Sequence, residues 1–161
     1  MKILKYAFPL MLVLLFAFAV TACAEQPSVT PPAGSGSTSS TTNSSNAVIN
    51  TATASVKGAS KTILTNTQGL TLYYRTTDNP PSKVCSGACA GAWPPLLFTG
   101  SGSPNSSTQL LGKLTAAVDA NGNQIEYNGH PLYTFASDTA PGQTNGEGVG
   151  GIWFVATPAL H

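Results

Sequence analysis

The feature of this sequence that most constrains its fold is an internal repeat at an offset of 60 residues. An ungapped alignment of residues 69–98 with residues 129–158 places seven identical residues opposite each other. The matched pairs are Gly69/Gly129, Leu72/Leu132, Tyr73/Tyr133, Asp78/Asp138, Pro81/Pro141, Gly91/Gly151 and Trp93/Trp153. One such unit cannot cover its own apolar face, so two copies are expected to pair around a shared core.

Short strands are favoured over helices in the region that contains the repeat. Gly and Pro interrupt the chain at short intervals, and Asn121-Gly122 is typical of a hairpin turn because both positions tolerate positive φ. Asn128-Gly129 then leads into a third strand. Strands are expected at residues 61–66, 70–75, 113–118, 124–127, 131–135 and 152–156.

Helical potential is confined to residues 86–93 and comes from their alanines. We therefore predict a mainly β, small single domain of short antiparallel strands, built from two related units, with one short helix near the cysteine pair. Residues 30–46 contain no charge and no aromatic side chain, so they cannot bury enough apolar area to offset the entropy of ordering. We expect a disordered tether at residues 23–60 and the β-rich domain at residues 61–161.

The N-terminus has the pattern of an export signal. Lys2 and Lys5 are followed by an uncharged run of 14 residues at positions 7–20. A helix that crosses a bilayer needs about 20 residues, so this run has the length of a secretory signal instead. The sequence Val-Thr-Ala-Cys that ends at Cys23 resembles a bacterial lipobox. The resemblance implies that residues 1–22 are removed and Cys23 is acylated; the alternative is an ordinary signal peptide with a chance cysteine.

The charge balance excludes one class of partner. Lys plus Arg number 7, Asp plus Glu number 6, and charged residues are 8% of the chain. Removal of Lys2 and Lys5 with the signal leaves 5 basic and 6 acidic residues, a net charge of −1. A nucleic-acid binder needs a basic surface that displaces counterions from phosphates, so we expect no nucleic-acid partner.

The repeat also contains a recognisable motif, Tyr-x-aromatic-x-x-Asp. Residues 133–138 fit it in full, whereas residues 73–78 keep Tyr73 and Asp78 but have Arg75 at the aromatic position. Together with the sequences at 85–95 and 127–133, the motif resembles the bacterial lipoprotein family called the secreted repeat of unknown function. The resemblance implies placement outside the cytoplasm, and it implies no activity.

Each motif residue has a structural and a functional interpretation. Tyr133 and Phe135 alternate on an expected strand and so face one side, which favours core packing; the alternative is a platform that stacks sugars or peptides. Asp78 and Asp138 are expected to accept backbone N–H groups and set their turns; the alternative is a cation site or a catalytic acid. A structural and not a functional role is also expected for the remaining motif residues, Tyr73, Trp93 and Trp153.

Cys85 and Cys89 are an even pair once Cys23 is assigned to the lipid. In an exported protein such a pair favours a structural disulfide, which stabilises a short loop by about 2 kcal/mol. A redox pair, or copper bound by Cys85, Cys89 and His130, is the alternative. No cofactor and no metal are expected.

These features predict a lipid-anchored protein of the cell membrane or outer membrane that has no enzymatic activity and acts as an interaction or structural module of the envelope. Its expected partners are the membrane, through the lipid, and an unidentified envelope component or protein. One alternative is a redox-active or copper-handling lipoprotein that uses Cys85 and Cys89. A second alternative is a carbohydrate-binding or carbohydrate-active surface protein.

Overall fold

The computed structural model describes residues 46–161. The predicted signal at residues 1–22, the lipid attachment at Cys23 and the tether as far as residue 45 lie outside the described residues. The elements in chain order are β1 (Ala47–Val56), β2 (Ala59–Thr65), β3 (Tyr73–Arg75), α1 (Ala88–Ala92), β4 (Asn105–Ser106), β5 (Leu114–Asp119), β6 (Gly122–Tyr127), β7 (His130–Pro131), a 3-10 helix (Val149–Gly151) and β8 (Trp153–Val155). Among residues 46–161, no helix is long and apolar enough to cross a membrane.

The strands form three small sheets, in the orders β2-β1-β4, β3-β8 and β5-β6-β7. Every pairing is antiparallel except that of β1 with β4, which is parallel and short. The mainly β fold, its two units and its short helix near the cysteine pair are confirmed. The third strand after Asn128-Gly129 is shorter than predicted, because only His130 and Pro131 pair with β6.

The predicted start of the domain at residue 61 was wrong. The ten residues of β1 and the first residues of β2 lie within the segment predicted as tether. Their hairpin turns at Lys57-Gly58, where φ is 50° and 80°, the left-handed pair that a two-residue hairpin turn requires. Ile49 and Val56 are buried and hold β1 in the core. The residues between them are mostly Thr and Ala, so the composition of this segment resembles that of a linker.

The turn of the β5–β6 hairpin lies one residue earlier in the chain than predicted. Asp119 pairs with Gly122, so Ala120 and Asn121 are the turn residues, and Gly122 adopts the positive φ of 110°. The turn at Asn128-Gly129 has φ values of 50° and 80° and joins Tyr127 directly to His130. Hairpins therefore precede the motif strand in both halves of the domain. We call residues 47–98 the first unit and residues 114–158 the second unit.

The two units exchange their last segments. In the first unit, Leu72 N–H donates to Leu64 O (2.9 Å), and Leu64 N–H donates to Ala156 O of the second unit (2.9 Å). Ala156 N–H closes the ring by donating to Leu72 O (2.8 Å). Ala156 of the second unit is therefore hydrogen-bonded to both Leu64 and Leu72 of the first unit.

The second unit repeats this ring of backbone hydrogen bonds. Leu132 N–H donates to Ile125 O (3.0 Å), Ile125 N–H donates to Leu96 O of the first unit (2.8 Å), and Leu96 N–H donates to Leu132 O (2.9 Å). Neither unit can satisfy these backbone groups alone, because a buried N–H or C=O without a partner is costly. The exchange explains why two copies share one domain.

The core has two parts. One cluster is largely aliphatic and contains Ile49, Leu64, Leu72, Phe98, Ile125, Tyr127, Leu132, Ala156 and Leu160. The other is largely aromatic and contains Ala54, Val56, Ile63, Tyr73, Cys85, Trp93, Tyr133, Trp153 and Val155. Cys89 and Phe135 pack against the aromatic cluster from partly exposed positions. The residues singled out by the repeat motif therefore meet in one place.

Candidate functional site

The motif tyrosines and aspartates bind each other across the two units. Tyr73 Oη donates to Asp138 Oδ2 at 2.5 Å, and Tyr133 Oη donates to Asp78 Oδ2 at 2.7 Å. The motif strands also meet directly, since Tyr73 N–H donates to Tyr133 O (2.8 Å) and Tyr133 N–H donates to Tyr73 O (3.0 Å). Each motif is therefore completed by the motif of the other unit.

Each tyrosine hydroxyl also accepts a backbone hydrogen bond from the loop that follows an aspartate. Cys85 N–H donates to Tyr133 Oη at 3.1 Å, and Gly146 N–H donates to Tyr73 Oη at 3.2 Å. Burial raises the pKa of both phenols well above the ordinary value, and the hydrogen bonds to the carboxylates raise it further. Both phenols are therefore protonated donors at neutral pH.

The turn role predicted for Asp78 and Asp138 describes only part of what their side chains do. Their turns are closed by backbone bonds, from Asp78 N–H to Arg75 O (3.1 Å) and from Asp138 N–H to Phe135 O (2.9 Å). Asp138 Oδ1 does accept a backbone N–H, from Asn145 (3.1 Å). In addition, each carboxylate accepts a hydrogen bond from the tyrosine of the other unit. Sequence alone cannot identify this partner, because it lies 55 or 65 residues away.

The two tryptophans stack at the centre of the aromatic cluster. The rings of Trp93 and Trp153 are 3.8 Å apart and within 4° of parallel. Phe135 stacks on Trp93 with the ring centroids 4.3 Å apart, and the Arg75 guanidinium lies 5.6 Å from the centroid of Trp153. Residues 75 and 135 thus occupy equivalent places, each over the tryptophan of the other unit.

Arg75 gives Asp78 a partner that Asp138 lacks. Its Nε and Nη2 donate to Asp78 Oδ1 at 2.6 and 2.5 Å. In the second unit, Asn145 donates to Asp138 Oδ1 through its backbone N–H (3.1 Å) and its Nδ2 (3.0 Å). Asn145 directly precedes Gly146, and the residue that directly precedes Cys85 is Val84, which has no side-chain donor.

The second aspartate partner was missed in the sequence, although a signal was present. The departure from the motif at Arg75 is visible when the two repeats are aligned. The counterpart of Asn145 is not visible, because the ungapped alignment places Cys85 opposite Asn145, whereas the structure makes Val84 its equivalent through a shift of one residue. Each unit supplies a donor to its own aspartate, from the strand in one case and from the loop in the other.

Cys85 and Cys89 form the predicted disulfide. Cys85 is fully buried, whereas Cys89 is partly exposed. Arg75 Nη1 lies 3.8 Å from the Sγ atom of Cys89. The bond therefore lies beside the motif cluster, with one sulfur enclosed and the other next to a cation.

His130 makes contacts of a different kind. Its Nε2 atom is 2.9 Å from the carbonyl oxygen of His161, and its ring packs edge-on against Tyr74 with the centroids 5.3 Å apart. Residues 46–161 contain no group of three or more His, Cys, Asp or Glu side chains arranged to hold a metal ion. The copper set proposed from the sequence would need both sulfurs as thiolates, and here they are bonded to each other.

Comparison with known proteins places the chain in a family. The model of the family Lipoprotein_15, described as a secreted repeat of unknown function, matches residues 54–97 and again residues 115–157. Both matches include part of the hairpin that precedes the motif strand, so the family repeat corresponds to the structural units defined above. No curated protein and no solved structure matches the chain. Because the two matches cover more than half of the sequence, the chain belongs to the family of the secreted repeat of unknown function.

Proposed function

We propose that this protein is a lipid-anchored module of the bacterial cell envelope that serves as an interaction or structural element outside the cytoplasm, and that the residues of its repeat motif have no catalytic role. Membership of a secreted family supports placement outside the cytoplasm. The lipobox-like sequence ending at Cys23 supports the anchor, and the uncharged residues 30–46 support a tether between anchor and domain.

The observation that most supports a non-catalytic role is the reciprocal bonding of the motif. Asp138 is 4% exposed, and the Asp78 side chain is 1% exposed. Both carboxylates accept hydrogen bonds from tyrosines that are fully buried. These groups are used to join the two units, which is the function of a scaffold and not of a substrate site.

Acylation of Cys23 tests the anchor. Cells that express the full chain are supplied with a labelled fatty acid, and the protein is recovered from membrane and soluble fractions. We expect label and membrane association for the wild type, and loss of both for Cys23→Ser, because serine cannot form the thioether. Cys89→Ser is the matched control and keeps the label. A wild-type chain that is unlabelled and soluble overturns the proposal.

Substitution of the aspartates tests the structural role against the carbohydrate alternative. We expect Asp78→Asn and Asp138→Asn each to lower the melting temperature, because each removes a charged acceptor from a buried hydrogen bond. A carbohydrate-active enzyme predicts the opposite pattern, in which the variants lose binding or hydrolysis of glycans at unchanged melting temperature. Thermal unfolding and a glycan-binding assay on the same preparations distinguish the two.

A further inference from the structure

The disulfide is present in only one of two units that fold in the same way. Cys85 N–H and Gly146 N–H make equivalent hydrogen bonds to the tyrosines of the opposite unit. The second unit holds its loop in this position with no cysteine, and there Asn145 binds Asp138 Oδ1 through its backbone N–H and its side chain. The same backbone position is thus reached without a disulfide in one unit, which raises the question of what else the Cys85–Cys89 bond can do in the other.

The two sulfurs differ in access. Cys85 has no exposed surface, whereas Cys89 is partly exposed at the second residue of α1. The Sγ atom of Cys85 is therefore closed to an incoming thiolate, and Cys89 is the one of the two residues with exposed surface. Thiol–disulfide exchange depends on which sulfur can be attacked, so this arrangement gives the exchange a direction.

Arg75 binds Asp78 through two of its guanidinium nitrogens, and the third lies near the Sγ atom of Cys89. Its Nε and Nη2 are bound to Asp78 at 2.6 and 2.5 Å, which leaves Nη1 at 3.8 Å from Cys89 Sγ. A nearby guanidinium stabilises a thiolate, and a stabilised reduced form makes a disulfide a stronger oxidant. The equivalent residue of the second unit is Phe135, which has no charge.

We propose that Cys85–Cys89 is a thiol–disulfide exchange site that oxidises a dithiol outside the cytoplasm. A thiolate of the dithiol attacks Cys89 Sγ, the S–S bond breaks, and Cys85 leaves as a thiolate that takes up a proton. The second thiolate of the dithiol attacks the mixed disulfide, and Cys89 leaves as a thiolate beside Arg75. The dithiol loses two electrons and two protons and becomes a disulfide; the pair Cys85 and Cys89 gains the two electrons, one proton is taken up by Cys85, and the other passes to the solvent while Cys89 stays a thiolate.

This inference goes beyond the envelope role proposed above and does not depend on the lipid at Cys23. Cys89 is the reacting residue, Cys85 is its resolving partner, and Arg75 is a positioning residue that acts through the charge of the thiolate. The proposal therefore separates into two measurements, one on the reactivity of the two sulfurs and one on the effect of the arginine.

The first experiment measures the reactivity of each sulfur alone. Full-length Cys85→Ser and Cys89→Ser proteins are purified in detergent and exposed to glutathione disulfide without denaturant. Adduct formation at each cysteine is followed by peptide-resolved mass spectrometry, which separates Cys23 from the other two. We expect Cys89 to react at least tenfold faster than Cys85. Equal rates, or reaction of either cysteine only after unfolding, overturn the proposal.

The second experiment measures the effect of the cation at equilibrium. Wild type and the double variant Arg75→Phe with Val84→Asn are equilibrated in glutathione buffers, and the reduced fraction is read by thiol alkylation and mass. The double variant reproduces the donor set of the second unit, so Asp78 keeps a partner. We expect its exchange equilibrium to shift about tenfold toward the disulfide, or about 30 mV for this two-electron couple.

Arg75→Lys is the matched control because it keeps the charge, and its equilibrium should stay closer to the wild type than to the double variant. An unchanged equilibrium in a folded double variant, or a disulfide that glutathione does not reduce in the folded wild type, overturns the proposal. Tryptophan fluorescence reports whether the variants are folded. If the double variant does not fold, the rates of the first experiment and the reduction of the folded wild type by glutathione decide the proposal.

Discussion

The two units of this domain use the same three residue types for the same contacts and differ in how the contacts are completed. In both, the tyrosine hydroxyl donates to the aspartate of the other unit, and the tryptophan stacks on the tryptophan of the other unit. The first unit completes its aspartate with Arg75 on the motif strand, whereas the second completes its aspartate with Asn145 in the following loop. The motif residues therefore form the contact between the units, and the group that supports each aspartate comes either from the motif strand or from the following loop.

The same difference determines what lies over each tryptophan. Because the first unit uses an arginine as donor, Trp153 is covered by a cation, whereas Trp93 is covered by the phenyl ring of Phe135. The arginine also reaches the disulfide, which the second unit does not have. The aspartate donor is thus a strand residue in one unit and a loop residue in the other. This difference places a positive charge over Trp153 and a neutral ring over Trp93.

The largest effect is expected from removing either tryptophan. Trp93 and Trp153 are 5% and 4% exposed and stack on each other, so Trp93→Ala and Trp153→Ala should each lower the free energy of unfolding by about 3–5 kcal/mol. Urea unfolding monitored by circular dichroism measures both. If one variant loses much less stability than the other, the two units do not share the joint equally and the comparison fails.

The second prediction tests whether a donor in the loop can replace the donor on the strand as the partner of Asp78. Arg75→Phe leaves the enclosed Asp78 carboxylate without its cation and should destabilise by about 3 kcal/mol, the lower end of the range for a broken buried pair, because the Arg75 side chain is 14% exposed. Adding Val84→Asn supplies the donor that the second unit uses, so it should recover most of this loss. Val84→Asn alone is the control. A double variant no more stable than Arg75→Phe would show that the two supports are not interchangeable.

The sequence predicts the repeat, the turn at Asn128-Gly129 and the short helix because each depends on local spacing or on identity between the copies. It does not predict β1, because its strand is held by Ile49 and Val56 and by pairing with β2, while the residues between them resemble a linker. Strand formation there depends on tertiary packing that overrides composition.

The sequence predicts which residues belong to the site, but it does not predict which of them bind each other. Tyr73, Asp78, Trp93, Tyr133, Phe135, Asp138 and Trp153 were all identified as a set from the repeat and the family motif. Their pairing across the units was not, because an alignment of two copies shows equivalent residues and does not show which copy supplies the partner. The exchange of Leu96 and Ala156 between units was hidden for the same reason.

The third effect separates the two tyrosines. Tyr73→Phe and Tyr133→Phe each remove a hydrogen bond to a carboxylate and leave a backbone N–H without its acceptor, which should destabilise by about 1–3 kcal/mol. Tyr73→Phe should be the more harmful, because Asp138 keeps only the neutral Asn145, whereas Asp78 keeps Arg75. Chemical denaturation of both variants at neutral pH provides the comparison, and equal losses would remove the advantage assigned to the arginine.

The same tyrosines predict a loss of stability in alkali. Burial raises the pKa of Tyr73 and Tyr133 in the folded state, so both stay protonated when the unfolded phenols, with a pKa of about 10, ionise. Their contribution is complete below that value and is lost as pH rises above it, by up to about 1.4 kcal/mol per pH unit for each phenol. Each Tyr→Phe variant should have a shallower alkaline decline than wild type, measured as unfolding free energy against pH. A decline as steep as that of the wild type would mean that the phenol ionises equally in both states.

The smallest effect concerns the hairpins, where the second unit has a carboxylic acid and the first does not. Glu126 follows Ile125 in the second ring of backbone bonds, and Thr65 follows Leu64 in the first. Both side chains are buried, but only Glu126 can ionise. Burial raises the pKa of Glu126, and the charge of Asp119 adds to this, while a hydrogen bond from Thr115 and the charge of His130 act in the opposite direction.

Because the folded state holds the Glu126 proton more tightly, its contribution to stability is complete below the pKa of the unfolded state and is lost as pH rises through the folded pKa. Glu126→Gln removes the ionisation, so wild type should lose stability relative to this variant as pH rises from about 3 to 7. Differences in unfolding free energy across that range test the direction, and Thr65→Val, which removes no titrating group, should give a difference independent of pH. A Glu126→Gln difference that is also flat would mean that the acid is solvated as well in the fold as outside it, and the second hairpin would then be electrostatically equivalent to the first.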